Sequence, residues 1–356
     1  MKTKNLIVLI FICLLFVLTG CKAEANEEGS LDKEFSSQVT VTDTLRVLAT
    51  EDFFDLNLTD SLSIRFLEES QTKLLWENGG SKKHIIDMLA ESSFYTYPDL
   101  VLGLSNVFYT ELDSLEIFSN LDDIFFSKVR SNNRFDKKKR FVPYQYSYLA
   151  LLKKSTNKMP LPISFGVMQK EEYFDKIIIS DAIETEMGRA LFNNIEGVFK
   201  FHGYAACWNR IRGSIYEIAN DENEAFDLFW DNEDKFIFQT VTKVIEGYEP
   251  GYAPTMDFAY MSEGSYKLIH SAAITNRCQS KVKAEVFLLW LHKPETQSLI
   301  VKLTNWYPIL EVASKSEGHR IIDYPKTVMN NKINQRVVSK YLADWLDYWK
   351  KYREKF

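Results

Sequence analysis

Histidine is scarce in this 356-residue chain, and its five copies, His84, His202, His270, His292 and His319, are scattered. No H-E-x-x-H pair and no second ligand at metal spacing accompanies them, so no metal site is legible and no cofactor is implied. A G-x-S-x-G elbow and a G-x-x-x-x-G-K loop are equally missing, which removes the two most readable signatures of hydrolysis and phosphate binding. Basic charge is in deficit, 43 Lys and Arg against 49 Asp and Glu. A nucleic-acid partner needs a dense basic face and is excluded. The short run Lys137-Lys138-Lys139-Arg140 reads as a solvated loop or helix end, and the acidic neighbours Glu171-Glu172 and Asp122-Asp123 as solvated pairs. Cysteine is limited to four residues without C-x-x-C spacing. Beyond the first turns of the chain no apolar stretch is long enough to span a bilayer, which takes about 20 residues.

What the chain does have begins at its start. Lys2 and Lys4 precede an uninterrupted apolar run from Leu6 to Leu18, which closes on Leu18-Thr19-Gly20-Cys21. This order of charged, apolar and small residues resembles a bacterial lipoprotein signal, implying cleavage before Cys21 and acylation of its thiol. Residues 1–20 are therefore expected to be a signal peptide and Cys21 the lipid anchor of an extracytoplasmic protein. Losing Lys2 and Lys4 and no acid takes the net charge from -6 to -8. Cys13 leaves with the signal, so Cys207 and Cys278 remain, expected as two separate buried thiols. Residues 21–43, rich in Glu, Ser, Asn and Lys, bury too little apolar surface to order themselves and read as a flexible tether.

With 46% hydrophobic and 14% aromatic residues, the remainder has material for a large core, and its length favours two lobes over one. Leu45–Ala49, Lys73–Trp76 and Asp99–Leu104 read as strands separated by helical stretches at 62–69 and 84–90, the pattern of a parallel sheet with crossover helices. A β-favouring segment, 141–152, carries Tyr144, Tyr146 and Tyr148 at alternate positions and so lines one strand face with phenols. A second α/β series follows: a strand at 176–180, a helix from about Gly188, a return strand ending at Ile274, and helices at 282–291 and 294–302. At the C-terminus Val338, Tyr341, Leu342, Trp345 and Trp349 share one helical stripe, expected to pack on the body. Lobe 1 is assigned to residues 44–145, lobe 2 to 146–265, and a return to lobe 1 with the C-terminal helices to 266–356.

The segments 99–106, 142–151, Ala272-Ala273-Ile274 and Asn305-Trp306-Tyr307-Pro308, taken in order, resemble the thiamine-binding family of ABC-importer periplasmic solute-binding proteins. The resemblance implies an α/β fold of the two-lobed type 2 periplasmic-binding class, each lobe a mainly parallel sheet flanked by helices. It further implies a monomer that closes on a small-molecule solute and docks on an ABC permease. Carried over position by position, the ligand site falls on Thr50, Glu51, Asp52 and Phe53, on Gly80 and Ser81, on Thr185, Glu186 and Gly188, and on Glu222, Gln239, Trp306 and Tyr307. The correspondence is eroded. The tyrosine that ends the family's first strand has no counterpart in Ala49-Thr50-Glu51-Asp52-Phe53, and Asn78-Gly79-Gly80-Ser81 lacks the family's turn carboxylate. Glu186 opens a helix whose N-terminus would otherwise suit phosphate. A cationic aromatic vitamin such as thiamine or its phosphate is the expected solute. A different solute, a non-transport receptor and a secreted lipoprotein hydrolase stay open as alternatives.

Overall fold

The computed structural model describes residues 43–356, apart from 93, 95, 247, 312 and 314 and the side chains of 201 and 202. The expected signal peptide, Cys21 and all but the last tether residue lie outside the described residues. Ten strands in one continuous sheet are found among the described residues: β1 Asp43–Ala49, β2 Thr72–Asn78, β3 Leu100–Ser105, β4 Val142–Lys154, β5 Ile177–Ser180, β6 Ile215–Ala219, β7 Phe236–Thr240, β8 Met256–Ala259, β9 Lys267–Ile274 and β10 Tyr307–Pro308. The α-helices are α1 Asp52–Asp55, α2 Leu58–Ser70, α3 Lys82–Glu91, α4 Tyr109–Ser114, α5 Phe165–Met168, α6 Glu186–Ile211, α7 Glu222–Asp231, α8 Lys281–Leu291, α9 Pro294–Thr304 and α10 Gln335–Arg353. No helix among the described residues is long and apolar enough to cross a membrane.

Strand order is β2-β1-β3-β9-β4-β7-β5-β6, with β8 and β10 both paired to β4. At each end a parallel unit forms, β2-β1-β3 in one half and β6-β5-β7 in the other. Those strands are linked through helices, as parallel pairs require. Between them β9 and β4 run antiparallel to their neighbours and stitch the halves together. The central strands are covered on both faces, which is why β3 and β9 bury every residue and β3 reads as an apolar run. This is the two-lobed architecture of the periplasmic-binding class, its lobes the two halves of the sheet.

Strand β4 belongs to both lobes. Residues Val142–Tyr148 pair with β9, and Leu149–Lys153 pair with β7, so the boundary expected at 145/146 lies inside one strand. The three phenols of β4 divide between two clusters. Tyr144 packs edge-on against Phe53, whereas Tyr146 stacks on Tyr307 at 5.3 Å with Tyr148 beside both. The Gln145 side chain points away from Tyr146 and Tyr148, into the cleft.

Helix α10 buries Val338, Leu342, Trp345, Trp349 and Tyr352. Its partner is α6, reached through Trp208–Trp349 at 4.6 Å and Tyr204–Trp345 at 5.7 Å. The aromatic stripe is therefore core between two helices. Cys207 is buried and Cys278 half-buried, both as free thiols. Of the basic run, Lys137, Lys138 and Lys139 are exposed as expected, but Arg140 is buried because its guanidinium forks onto Asp136 and Asp113.

Candidate ligand cleft

Between the lobes lies a cavity of about 430 Å³, large enough for a drug-sized molecule. Lobe 1 contributes the turn after β1, the start of α3, and the segment after α9. Lobe 2 contributes the start of α6, the start of α7 and the end of β7. Strand ends and helix N-termini meet here because in open α/β sheets both point to the same edge. Eight carboxylates, Glu51, Asp52, Asp55, Glu184, Glu186, Asp221, Glu222 and Glu246, face two lysines, Lys82 and Lys243. Lys243 is spent on Glu246, 2.9 Å away. The cleft is strongly acidic.

Each wall has a local cause. Gly79 and Gly80 turn the chain after β2, and the Ser81 hydroxyl caps α3 by accepting from the His84 amide at 3.2 Å, which sets Lys82 at the first helical position. The Lys82 ammonium lies 3.3 Å from both Asp52 in its own lobe and Glu186 in the other. Thr185 caps α6 by accepting from the Gly188 amide at 3.0 Å and places Glu186 at the entrance. One Glu186 oxygen receives the Ser105 hydroxyl at 2.5 Å and the His270 Nε2 at 2.8 Å. Gln145 Nε2 lies 2.9 Å from His270 Nδ1, and Gln145 Oε1 accepts from Thr304 at 3.1 Å. His270 Nε2 is thus the ring nitrogen aimed at Glu186. Trp306 stacks on the His270 ring with centroids 4.0 Å apart.

The α6 N-terminus is already taken. Glu222, from the start of α7, accepts from the Glu186 amide at 2.9 Å and the Met187 amide at 3.2 Å, occupying the anion seat that a helix dipole offers. Glu186 therefore does not sit over its own helix terminus, as its position suggested, but reaches across the cleft.

Charge follows this geometry. Burial pushes the Glu186 carboxyl up, but His270, Lys82 and the donated hydrogen bonds outweigh it and hold the group down at about 2. Burial likewise raises Asp52, and Lys82, His270 and the Thr50 hydroxyl overcome it, leaving Asp52 below its ordinary value. Lys82 loses to burial but gains more from Asp52, Glu186 and Glu222, and is held well above the usual lysine range. Glu222 is raised, chiefly by burial and by the neighbouring Glu186 charge, and Glu51 is raised by burial against the pull of Lys82.

Ten of the thirteen expected residues line the cavity: Thr50, Glu51, Asp52, Gly80, Ser81, Thr185, Glu186, Glu222, Gln239 and Trp306. Three do not. Phe53 is buried in lobe 1 against Trp76 and Tyr144. Tyr307 points to the far side of β4 against Tyr146. Gly188 sits where a Cβ would stand 2.3 Å from the Asp181 and Ser180 carbonyl oxygens, so its glycine serves the close approach of α6 to the preceding turn. Among the lining residues absent from the expectation, Lys82 and His270 contact Glu186, and Gln145 contacts His270, at the polar centre of the site. No cluster of metal-ligating side chains is found among the described residues.

The fold is of the two-lobed periplasmic-binding type, with an acidic cavity between its lobes. No family model matches the chain. The thiamine-binding periplasmic protein of Brucella abortus biovar 1 (strain 9-941) is 26% identical over 263 residues, covering 71% of this chain and 75% of the relative. That of Brucella melitensis biotype 1 is 25% identical over 258 residues, with the same coverage. Among solved structures, a periplasmic thiamin binding protein superposes with a TM-score of 0.76 at 18% identity, over 87% of this chain and 96% of its own. A ferric binding protein from Campylobacter jejuni gives 0.71 at 12% identity, over 87% of this chain and 98% of that one. The chain is thus similar to the thiamine-binding family of periplasmic solute-binding proteins, in diverged form.

Proposed function

We propose that this chain is the solute receptor of an ABC importer, anchored outside the cytoplasm through acylated Cys21 and capturing thiamine by closure of its two lobes. The observation that carries the reading is the cleft's charge: eight carboxylates and an aromatic wall at Trp306, with one lysine already shared between two of those carboxylates. Such a surface suits a cationic aromatic ring, which gains from π-stacking and from nearby negative charge. The resemblance to thiamine-binding proteins supports the same ligand. Of thiamine and its phosphates, the cleft favours the unphosphorylated cation, because Glu222 fills the helix N-terminus where a phosphate would otherwise bind.

The contacts across the cleft favour binding over hydrolysis. Ser105 donates to Glu186 rather than to the imidazole, so the nucleophile–base–acid order of a triad is not built. Capture then follows from closure: a ligand that touches both lobes stabilises the closed arrangement, which a permease recognises. Tethering by a flexible linker raises the receptor's effective concentration at the membrane.

Titration calorimetry with thiamine, thiamine monophosphate and thiamine pyrophosphate tests the ligand. Thiamine is expected to bind 1:1 and more tightly than either phosphate; no heat with thiamine, or tighter binding of a phosphate, overturns the assignment. Mass spectrometry of the membrane-extracted protein tests the anchor, which requires a diacylglyceryl adduct on wild type and none on Cys21→Ser.

A further inference from the structure

On the face of β4 opposite the cleft lies a second cavity, of about 380 Å³. Its walls are the rings of Tyr146, Tyr148 and Tyr324, its rim carries Arg130 and Lys315, and its floor holds Lys267 from β9. Lys267 is only 3% exposed. Its ammonium donates to the Asn133 amide oxygen at 2.6 Å and lies 4.5 Å from the Tyr146 ring centroid and 5.4 Å from that of Tyr148. Among the described residues no carboxylate pairs with it.

A buried cation without a counter-ion is costly, because desolvation of the ammonium is not repaid by one neutral acceptor and two ring faces. Burial, joined by repulsion from Arg130, accordingly lowers Lys267 to about 8. The other charges around the cavity do not supply the missing anion. Glu311, the one lining carboxylate among the described residues, is paired with Arg130 at the rim, and Lys315 donates to the Tyr324 hydroxyl at 3.1 Å. The cavity is thus net positive, aromatic and open enough to admit a ligand.

We propose that this cavity binds a small aromatic anion, whose carboxylate or phosphate oxygen accepts from Lys267 while its ring lies among Tyr146, Tyr148 and Tyr324. The site is separate from the acidic cleft and selects the opposite charge. It does not depend on thiamine being the cleft ligand. Each of its two central strands also carries a cleft residue, Gln145 on β4 and His270 on β9.

The test is calorimetry of the mature protein with benzoate, phenyl phosphate, inorganic phosphate and benzylamine. Saturable 1:1 binding of benzoate or phenyl phosphate, none of benzylamine, and no displacement by excess thiamine are expected. Preference for phenyl phosphate over benzoate identifies a phosphate ligand, and the reverse a carboxylate; both support the site. Inorganic phosphate binding as tightly as phenyl phosphate overturns the role of the tyrosine walls. Lys267→Met should weaken the bound probe by roughly tenfold or more, the usual worth of a charge-assisted hydrogen bond, while thiamine binding stays as in wild type. Absence of saturable binding by either aromatic anion, or Lys267→Met equal to wild type, overturns the proposal. Should circular dichroism show Lys267→Met unfolded, Lys315→Ala and Tyr324→Ala at the rim decide: each must weaken the probe roughly threefold or more.

Discussion

Replacing Glu186 by glutamine removes the charge that joins the lobes while keeping the side chain's shape. In the fold this carboxyl is only 3% exposed on its side chain and is held at about 2, against an ordinary 4.5. That depression corresponds to about 3 kcal/mol favouring the charged form, at about 1.4 kcal/mol per tenfold change. The unfolded chain titrates near 4.5 and the folded one near 2, so the contribution is present in full above 4.5 and is lost as pH falls toward 2. Urea unfolding of wild type and Glu186→Gln at pH 7, 5, 4 and 3 measures it directly. Wild type should exceed the variant by about 3 kcal/mol at pH 7, and the gap should narrow steadily below pH 4.5. A gap under about 1 kcal/mol at pH 7 would refute the reasoning, because an exposed surface pair is worth no more than that. A gap that stays constant from pH 5 to pH 3 would show that the loss comes from packing and not from the charge.

Trp306→Ala should weaken thiamine binding roughly tenfold, the about 1–2 kcal/mol of a partly desolvated cation–π contact, with little change in melting temperature; equal affinity by calorimetry removes Trp306 from the site. Gly103→Ala should destabilise the fold by at least about 1–2 kcal/mol from its left-handed backbone alone. Its φ is +88°, and a Cβ there would also meet the Thr50 hydroxyl at 2.2 Å, so thiamine affinity should fall as well; a melting temperature equal to wild type counts against both. Burial pushes the thiols of Cys207 and Cys278 up to about 12, so both should resist iodoacetamide at pH 8 until denaturant is added. Rapid native alkylation of Cys207 is the contrary result.

The elements were legible where periodicity was strong. The alternation of 45–49, the apolar block 100–104 and the aromatic stripe of α10 each report burial directly, and the structure places each where its pattern points. The cleft was legible through the family resemblance, and from the residues themselves only where a cap marks a helix start, as at Ser81 and Thr185. Its polar centre escaped for a physical reason. His270 and Gln145 sit inside buried strands, 125 residues apart in sequence, and neither has a local partner to give it away. A search of histidines for metal spacing passes over one whose ligands are an amide and a carboxylate. The alternation that displayed the tyrosines of β4 also placed Gln145 on the opposite face, and a lone histidine within the apolar run 268–274 was the available sign that something polar waited across the sheet. Phe53, Tyr307 and Gly188 lie off the cavity wall. Their types suit a ligand, yet an aromatic core and a tight backbone approach use the same types.

Glu186 also bears on how the proposed receptor would close. A ligand drives closure only by its differential affinity for the closed arrangement, and any cost of closing is subtracted from its binding. Here Lys82, Ser105 and His270 of one lobe already reach Glu186 of the other, so part of that cost is met by the protein's own side chains. The same contacts set the charge requirement. Lys82 sets one positive charge against Asp52 and Glu186 and leaves Glu51, Asp55, Glu184, Asp221 and Glu222 facing the cavity without an ion-pair partner among the described residues. An anionic ligand would add to that repulsion, and a neutral one would leave it in place. A cation relieves it while filling the space against Trp306. Lys82 must then act as both clasp and competitor: it holds the lobes together, and it draws on the carboxylates that a cationic solute would use. Shortening the solute's claim to the unshared acids predicts affinity that falls with added salt less steeply than eight free carboxylates would give, since the buried pairs around Lys82 are screened far less than exposed charges.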